Sequence, residues 1–283
     1  MSEKTSSEHT TLRSAELPKP ARLVVPIAAL AVILAWMVFT PSGLLGKADA
    51  VGYAVCHRIA SHSFFFGDRQ LPLCARCSGM HLGALIALLY QVRLGKRGGM
   101  PPLKILIALG VFLAVFAVDG VNSYLTLGNG GIPLLGNLEP LYTPMNWLRS
   151  LTGLPVGFGI GAVLYPIFNQ SLWKDWDPRP ALGSWKDLLI LVGIGALVEL
   201  ALISGNVFFL FPFAVFSSLT VLIILSMIYA VVWVMLVKRE NVFTSVQQSW
   251  VILLLGLTTA VIQIGLMDYG RFVLTGTWQG FVL

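Results

Sequence analysis

The sequence predicts an all-α fold, a polytopic bundle of about seven transmembrane helices with a cytoplasmic N-terminus, on three observations. The first is composition: of 283 residues, 56% are apolar and 11% charged, where a soluble domain carries about a quarter charged residues. The second is a recurrence of apolar runs, near 23–40, 79–92, 103–119, 151–169, 187–204, 213–237 and 250–267. A bilayer-crossing helix needs about 20 such residues. The third is charge placement: taking alternate loops, 13 Lys and Arg fall on the side of the N-terminus and 6 on the other. Basic residues concentrate on the cytoplasmic side, so the N-terminus is expected there and the C-terminus outside.

Residues 1–22, rich in Ser, Thr, Glu and Pro, read as a disordered cytoplasmic tail, and 23–283 as a single transmembrane domain. The first run is followed by Ala48-Asp49-Ala50, which matches the A-x-A pattern of a signal-peptide cleavage site. The run is longer and its polar flank bulkier than that pattern requires, so a retained helix is expected. The second run is short and is expected either to begin inside the preceding Cys/His loop at 50–80 or to stop before the far interface. That loop would face the exoplasm on either reading. A net charge of +6 and pI of 9.4 do not point to nucleic acid, because the basic residues sit in short clusters between apolar runs and form no aromatic-interleaved stripe. A multi-pass cell-membrane protein in contact with lipid is the expectation.

The stretch CHRIASHSFFFGDRQLPLCARCSGMH, 56–81, holds all three cysteines and three of the four histidines. Pro72 stops any helix before it, so Cys74 and Cys77 are expected in the first turns of the second span, with His81 on the same face. Cys56 and His57 then fold back beside them. Cys56, His57, Cys74 and Cys77 form the donor set of a tetrahedral Cys3His zinc site. A C-x-x-C at a helix N-terminus equally suits thiol chemistry, since helix dipole and free amides favour thiolate. Ordinary buried cysteines are the plainest alternative.

Polar residues near span ends add candidates. Asp119 and Asn122 end the third span, and Asn146 and Arg149 precede the fourth, so all four emerge on the cysteine side. Arg58, Arg76 and Arg149 would suit a phosphate or carboxylate, which guanidinium grips in a forked geometry. An Asp119–Arg149 pair or helix caps would be a purely structural use of the same residues. Glu199 is the one acid deep in a span, suited to a proton relay or to a buried hydrogen bond. Asp268, Tyr269 and Arg271 read as interface anchors. Gly79 with Gly83, and Gly157 with Gly161, permit close helix approach.

CHR, HSFFFG, LPLCARCSGMHLG, DGVNS and NWLRSLTG together resemble the DUF2085 family of predicted membrane proteins, over about residues 50–160. The resemblance implies a core of Cys56, His57, Cys74, Arg76, Cys77, Asp119 and Arg149, and no activity. His62 stands where the family pattern has an arginine, which removes one arginine from the site, and His81 stands where it has an aromatic, so His81 is not carried over as an essential ligand. Three functions follow as expectations. One is a zinc-containing enzyme acting on a lipid or polyprenyl head group or another phosphate-bearing substrate, with Asp119, Arg149, Arg76 and Arg58 as its working residues. A second is a membrane thiol-disulfide oxidoreductase, and a third is a non-catalytic subunit beside other membrane subunits.

Overall fold

The computed structural model describes residues 18–126 and 139–280, and the expected tail lies outside them as far as residue 17. Residues 19–22, also assigned to that tail, instead form the first turn of helix α1 (Lys19–Phe39), which Pro20 opens because a helix start needs no proline N–H. Seven further helices follow: α2 (Leu44–Val55), α3 (Ala75–Val92), α4 (Leu103–Leu125), α5 (Asn146–Leu172), α6 (Trp185–Ile203), α7 (Val207–Leu236) and α8 (Val246–Thr275).

Five of them, α1, α4, α5, α7 and α8, are long and apolar enough to cross a membrane. The protein is a multi-pass membrane protein. The expected second and fifth runs are helical but fall short of that standard. α3 has 18 residues and carries Arg76 and His81, while α6 carries Lys186, Asp187 and Glu199. On α1 the outward stripe is Leu23, Ile27, Leu30 and Leu34, each more than half exposed. Apolar exposure at that spacing is costly in water and suits lipid.

Two corrections concern the extent of helix. Both ends of the expected loop are helix, because residues up to Val55 belong to α2 and those from Ala75 to α3. α2 escaped the hydropathy reading because it is built from small residues: Gly46 packs on the Pro41 carbonyl and Gly52 on that of Pro72, closer than any Cβ allows. Ala48 and Ala50 are therefore buried. The fold also holds two pairs of short strands that an all-α reading leaves out. β1 (Phe65–Phe66) pairs antiparallel with β2 (Arg69–Gln70), and β3 (Arg97–Gly99) runs parallel to β4 (Asp177–Pro180). Each ties loop backbone that would otherwise lack partners.

The closest helix crossing is between α3 and α5. A side chain at Gly79 would collide with the backbone of Ser150, one at Gly83 with that of Leu154, and one at Gly157 with that of Met80. With backbones that near, van der Waals packing rather than hydrophobic burial holds the pair inside an apolar medium. The loops after α3, α5 and α7 meet at one end. There Lys96 Nζ bonds Asp175 at 2.7 Å and the Thr244 carbonyl at 2.6 Å, and Trp173 bridges to Phe243. The cysteine segment, the C-terminus of α4, the N-terminus of α5 and the C-terminus of α8 gather at the other end.

Candidate metal centre

Cys56 closes α2 and Cys74 opens α3, both in extended backbone. Helix-ending geometry turns the chain out at each point, and the buried Leu71-Pro72-Leu73 segment brings the second end back to the first. The thiol sulfurs of Cys56, Cys74 and Cys77 lie within 4.8 Å of one another. All three are free thiols. The Cys56 sulfur accepts the backbone N–H of Cys74 at 3.3 Å and that of Arg58 at 3.5 Å.

Hydrogen bonds from the Cys74 and Cys77 thiols, more than those amides, hold the Cys56 thiol far below its ordinary range, at about 2, against the opposing effect of burial. Donation to Cys56 pushes the Cys74 thiol up to about 12. Three soft sulfur donors at this spacing suit a thiophilic ion such as zinc.

Arg271 of α8 secures the segment from behind. Its guanidinium donates to the carbonyls of Tyr53 and Cys56, each at 2.6 Å, and to that of His57 at 3.2 Å, and it stacks on the Tyr53 ring. The expected interface anchors are thus corrected. Asp268 is 2% exposed and Arg271 is engaged with the cysteine segment, while Tyr269, at 71%, faces outward. Among the described residues Arg271 is the clearest participant missed in the sequence, because nothing local links residue 271 to residue 56.

A second polar group stands next to the sulfurs. Arg76 pairs with Asp119, which is 1% exposed, and donates to Ser123 Oγ at 2.9 Å. Asp119 also accepts from Tyr142 Oη at 2.8 Å. Neither Tyr142 nor Ser123 carried a sequence signal, as both are common residues beside loops. Arg149 is buried and donates to Asn146 at 2.7 Å, and Asn146 in turn donates to the Ser63 carbonyl at 3.0 Å. Asn122 holds the backbone of Leu141 and Tyr142. The pairing of Asp119 is therefore with Arg76 and not with Arg149.

Cys74, Cys77, Arg76, His57, His62 and Ser123 line a cavity of about 220 Å³. His57 is exposed and lies outside the group of converging ligand atoms. His62 is held well below its ordinary range, at about 4, by burial first and then by Arg149 and Arg76. His81 turns Nδ1 to the Cys77 carbonyl at 2.8 Å. Arg58 points elsewhere: it sits at a φ of +53° and pairs with Asp49 at 2.9 Å, in a separate cavity. It does not join Arg76 and Arg149. Glu199 lies deep in the bundle and accepts from Ser150 Oγ at 2.6 Å.

The family described as "Predicted membrane protein (DUF2085)" matches residues 56–163, from Cys56 into α5. An uncharacterized protein of Methanothermobacter thermautotrophicus is 33% identical over 118 residues, covering 42% of this chain and 90% of that protein. Another, of Methanocaldococcus jannaschii, is 29% identical over 126 residues, covering 44% of this chain and 70% of its own. No solved structure matches. The matched region contains all three sulfurs, the Arg76–Asp119 pair and Arg149, and on this similarity the chain belongs to the DUF2085 family of predicted membrane proteins.

Proposed function

We propose that the chain is a single transmembrane domain over 23–283 that carries a thiolate metal centre at its exoplasmic face and acts on an anionic, lipid-borne head group. The observation behind the reading is the convergence of Cys56, Cys74 and Cys77 beside a cavity lined by Arg76. The helix order gives seven crossings if α3 and α6 also span, with the N-terminus cytoplasmic. The basic loops after α3, α5 and α7 meeting at one end support this.

Cys56, Cys74 and Cys77 would hold the ion, zinc by the softness of the donors, with His57 near enough in sequence to complete the set. Bound there, zinc supplies Lewis acidity toward a substrate oxygen. Arg76 and Arg149 give the cavity the positive charge that attracts a phosphate or carboxylate. Asp119 and Tyr142 fix Arg76 in place. His62, neutral above about pH 4, adds no charge to the cavity and can exchange a hydrogen bond with a bound group.

The test is elemental analysis with thiol counting on purified protein. Stoichiometric zinc that is lost in Cys77→Ser, with the chain still folded, supports the centre. Zinc-free protein with three titratable thiols overturns it.

A second reading rests on the same sulfurs. The three thiols stand within 4.8 Å of one another, an arrangement that also serves thiol-disulfide exchange, in which a thiolate attacks a partner's disulfide and releases its other sulfur as thiolate. Alkylation trapping that catches a Cys74–Cys77 disulfide cycling with cellular redox state would favour it over the metal centre.

A further inference from the structure

A groove of about 660 Å³ lies between α1 and α8. Its walls are Val32, Trp36, Phe39, Val261, Ile262 and Leu266, apolar side chains at helical spacing on two helices of membrane-crossing length. Gly265 makes the room: a Cβ there would meet only the Trp36 ring, at 3.7 Å. The volume is typical of a small-molecule site, about 300–1,000 Å³.

One polar side chain sets this groove apart from an ordinary lipid-facing furrow. Asp268, 98% buried by the 2% exposure that remains to it, lines the groove. Its Oδ2 accepts from Trp36 Nε1 at 3.3 Å. Its Oδ1 is buried with no hydrogen-bond partner among the described residues. A buried carboxyl oxygen without a partner is costly in an apolar setting, so Asp268 leaves one hydrogen-bonding position unfilled.

We infer that the α1–α8 groove binds a neutral amphiphile, a hydrocarbon or isoprenoid chain ending in a hydroxyl, with the hydroxyl donating to Asp268 Oδ1 and the chain lying along Trp36, Leu266 and Val261. Charge selects the head. An anionic head would meet the Asp268 carboxylate. A cationic head would compete with Lys47, which stands 5.8 Å over the Trp36 ring, and with Arg271 one turn along α8. A hydroxyl supplies the missing donor and brings no charge. Free long-chain alcohols and diacylglycerols share this chemistry.

The test uses full-length protein in detergent with three diazirine probes on one chain: a long-chain alcohol, its methyl ether and the matching carboxylate. The expected result is saturable labelling of residues 32–40 and 261–269 by the alcohol, with both other probes weaker by about tenfold, the worth of one hydrogen bond. Gly265→Leu, whose Cβ meets only the Trp36 ring, abolishes labelling and leaves the thiol count and thermal midpoint unchanged. Asp268→Leu abolishes the preference of alcohol over ether. Equal labelling by alcohol and ether overturns the inference, as does labelling that does not saturate or that survives Gly265→Leu. Failure here leaves zinc content untouched, and loss of the metal reading leaves this labelling untouched.

Discussion

The backbone N–H of Cys74 donates to Sγ of Cys56 at 3.3 Å, so the end of α2 and the start of α3 are joined through one sulfur. Eighteen residues separate the two in the chain. The hairpin between them, with Phe65 paired to Gln70 and Phe66 to Arg69, makes the return. Arg271 then fixes the first cysteine's carbonyl from α8. The sulfur cluster is thus held by three helices at once.

Arg271 is expected to govern the cluster without contributing a ligand. Replacing it with Leu removes the donors to the carbonyls of Tyr53, Cys56 and His57 and leaves those acceptors in a low-dielectric site. Zinc affinity should fall by about tenfold or more, as for other residues that orient ligands. Arg271→Lys should restore only part, since one ammonium cannot fork across three carbonyls. Competition with a chelator measures both. An affinity unchanged in Arg271→Leu would contradict this role.

The Arg76–Asp119 pair is buried on the Asp119 side and partly exposed at Arg76. Asp119→Leu leaves a guanidinium without its counter-charge and should cost about 3–5 kcal/mol. The double change Arg76→Leu, Asp119→Leu should recover much of that loss in detergent unfolding while abolishing binding of any anion in the cavity. If the single and double variants are equally unstable, the pair is not coupled as the geometry requires.

His62 carries a pH signature. Its folded pKa, about 4, is below the ordinary value of roughly 6.5, so the unfolded chain binds the extra proton first. Its contribution to stability is therefore complete above about pH 6.5 and is lost as pH falls through about 4. His62→Gln should flatten that part of the stability profile. Phosphate in the cavity should offset Arg149 and Arg76 and raise the His62 pKa, a shift that NMR would read. An unmoved His62 in saturating phosphate would count against an anion site.

Glycine positions separate packing from composition. Gly83→Leu drives a side chain into the Leu154 backbone and should destabilise by about 1–3 kcal/mol or prevent folding. Gly159→Leu, on α5 but facing open space, should be close to neutral. Similar losses for both would mean that α3 and α5 are not as close as described.

Topology is open to direct measurement. Ser61 and Lys174 are both exposed and lie at opposite ends of the bundle. In a chain with the three native cysteines replaced by serine, Ser61→Cys should react with an impermeant maleimide in intact cells, and Lys174→Cys only after lysis. The reverse pattern would place the sulfurs in the cytoplasm.

Much of the site was legible because its chemistry is rare in this chain. Cysteines 74 and 77 share a helix turn by spacing alone, and Pro72 marks where that helix cannot begin earlier. Asp119 stood out as a carboxylate at the end of an apolar run, and Arg76 as a cation beside the cysteines, although their pairing did not. Asn146, Arg149 and Asp119 all pointed to the same end of the bundle, and nothing local distinguished Arg149 from Arg76 as the neighbour. α2 was hidden because hydropathy measures bulk, and α2 buries itself with glycine and alanine.

The sequence by itself determined that the chain lives in a membrane, that its helices alternate with loops of opposite basic content, and that its sulfurs share one short segment. Those are properties of composition and spacing, which survive in any conformation. Tertiary structure alone decided that Arg76 takes Asp119, that Arg58 turns to Asp49, and that Arg271 clamps a cysteine 215 residues away. Long flexible side chains with several forked donors satisfy many partners equally well, and only the close glycine crossing of α3 on α5, with α8 packed behind α2, selects among them.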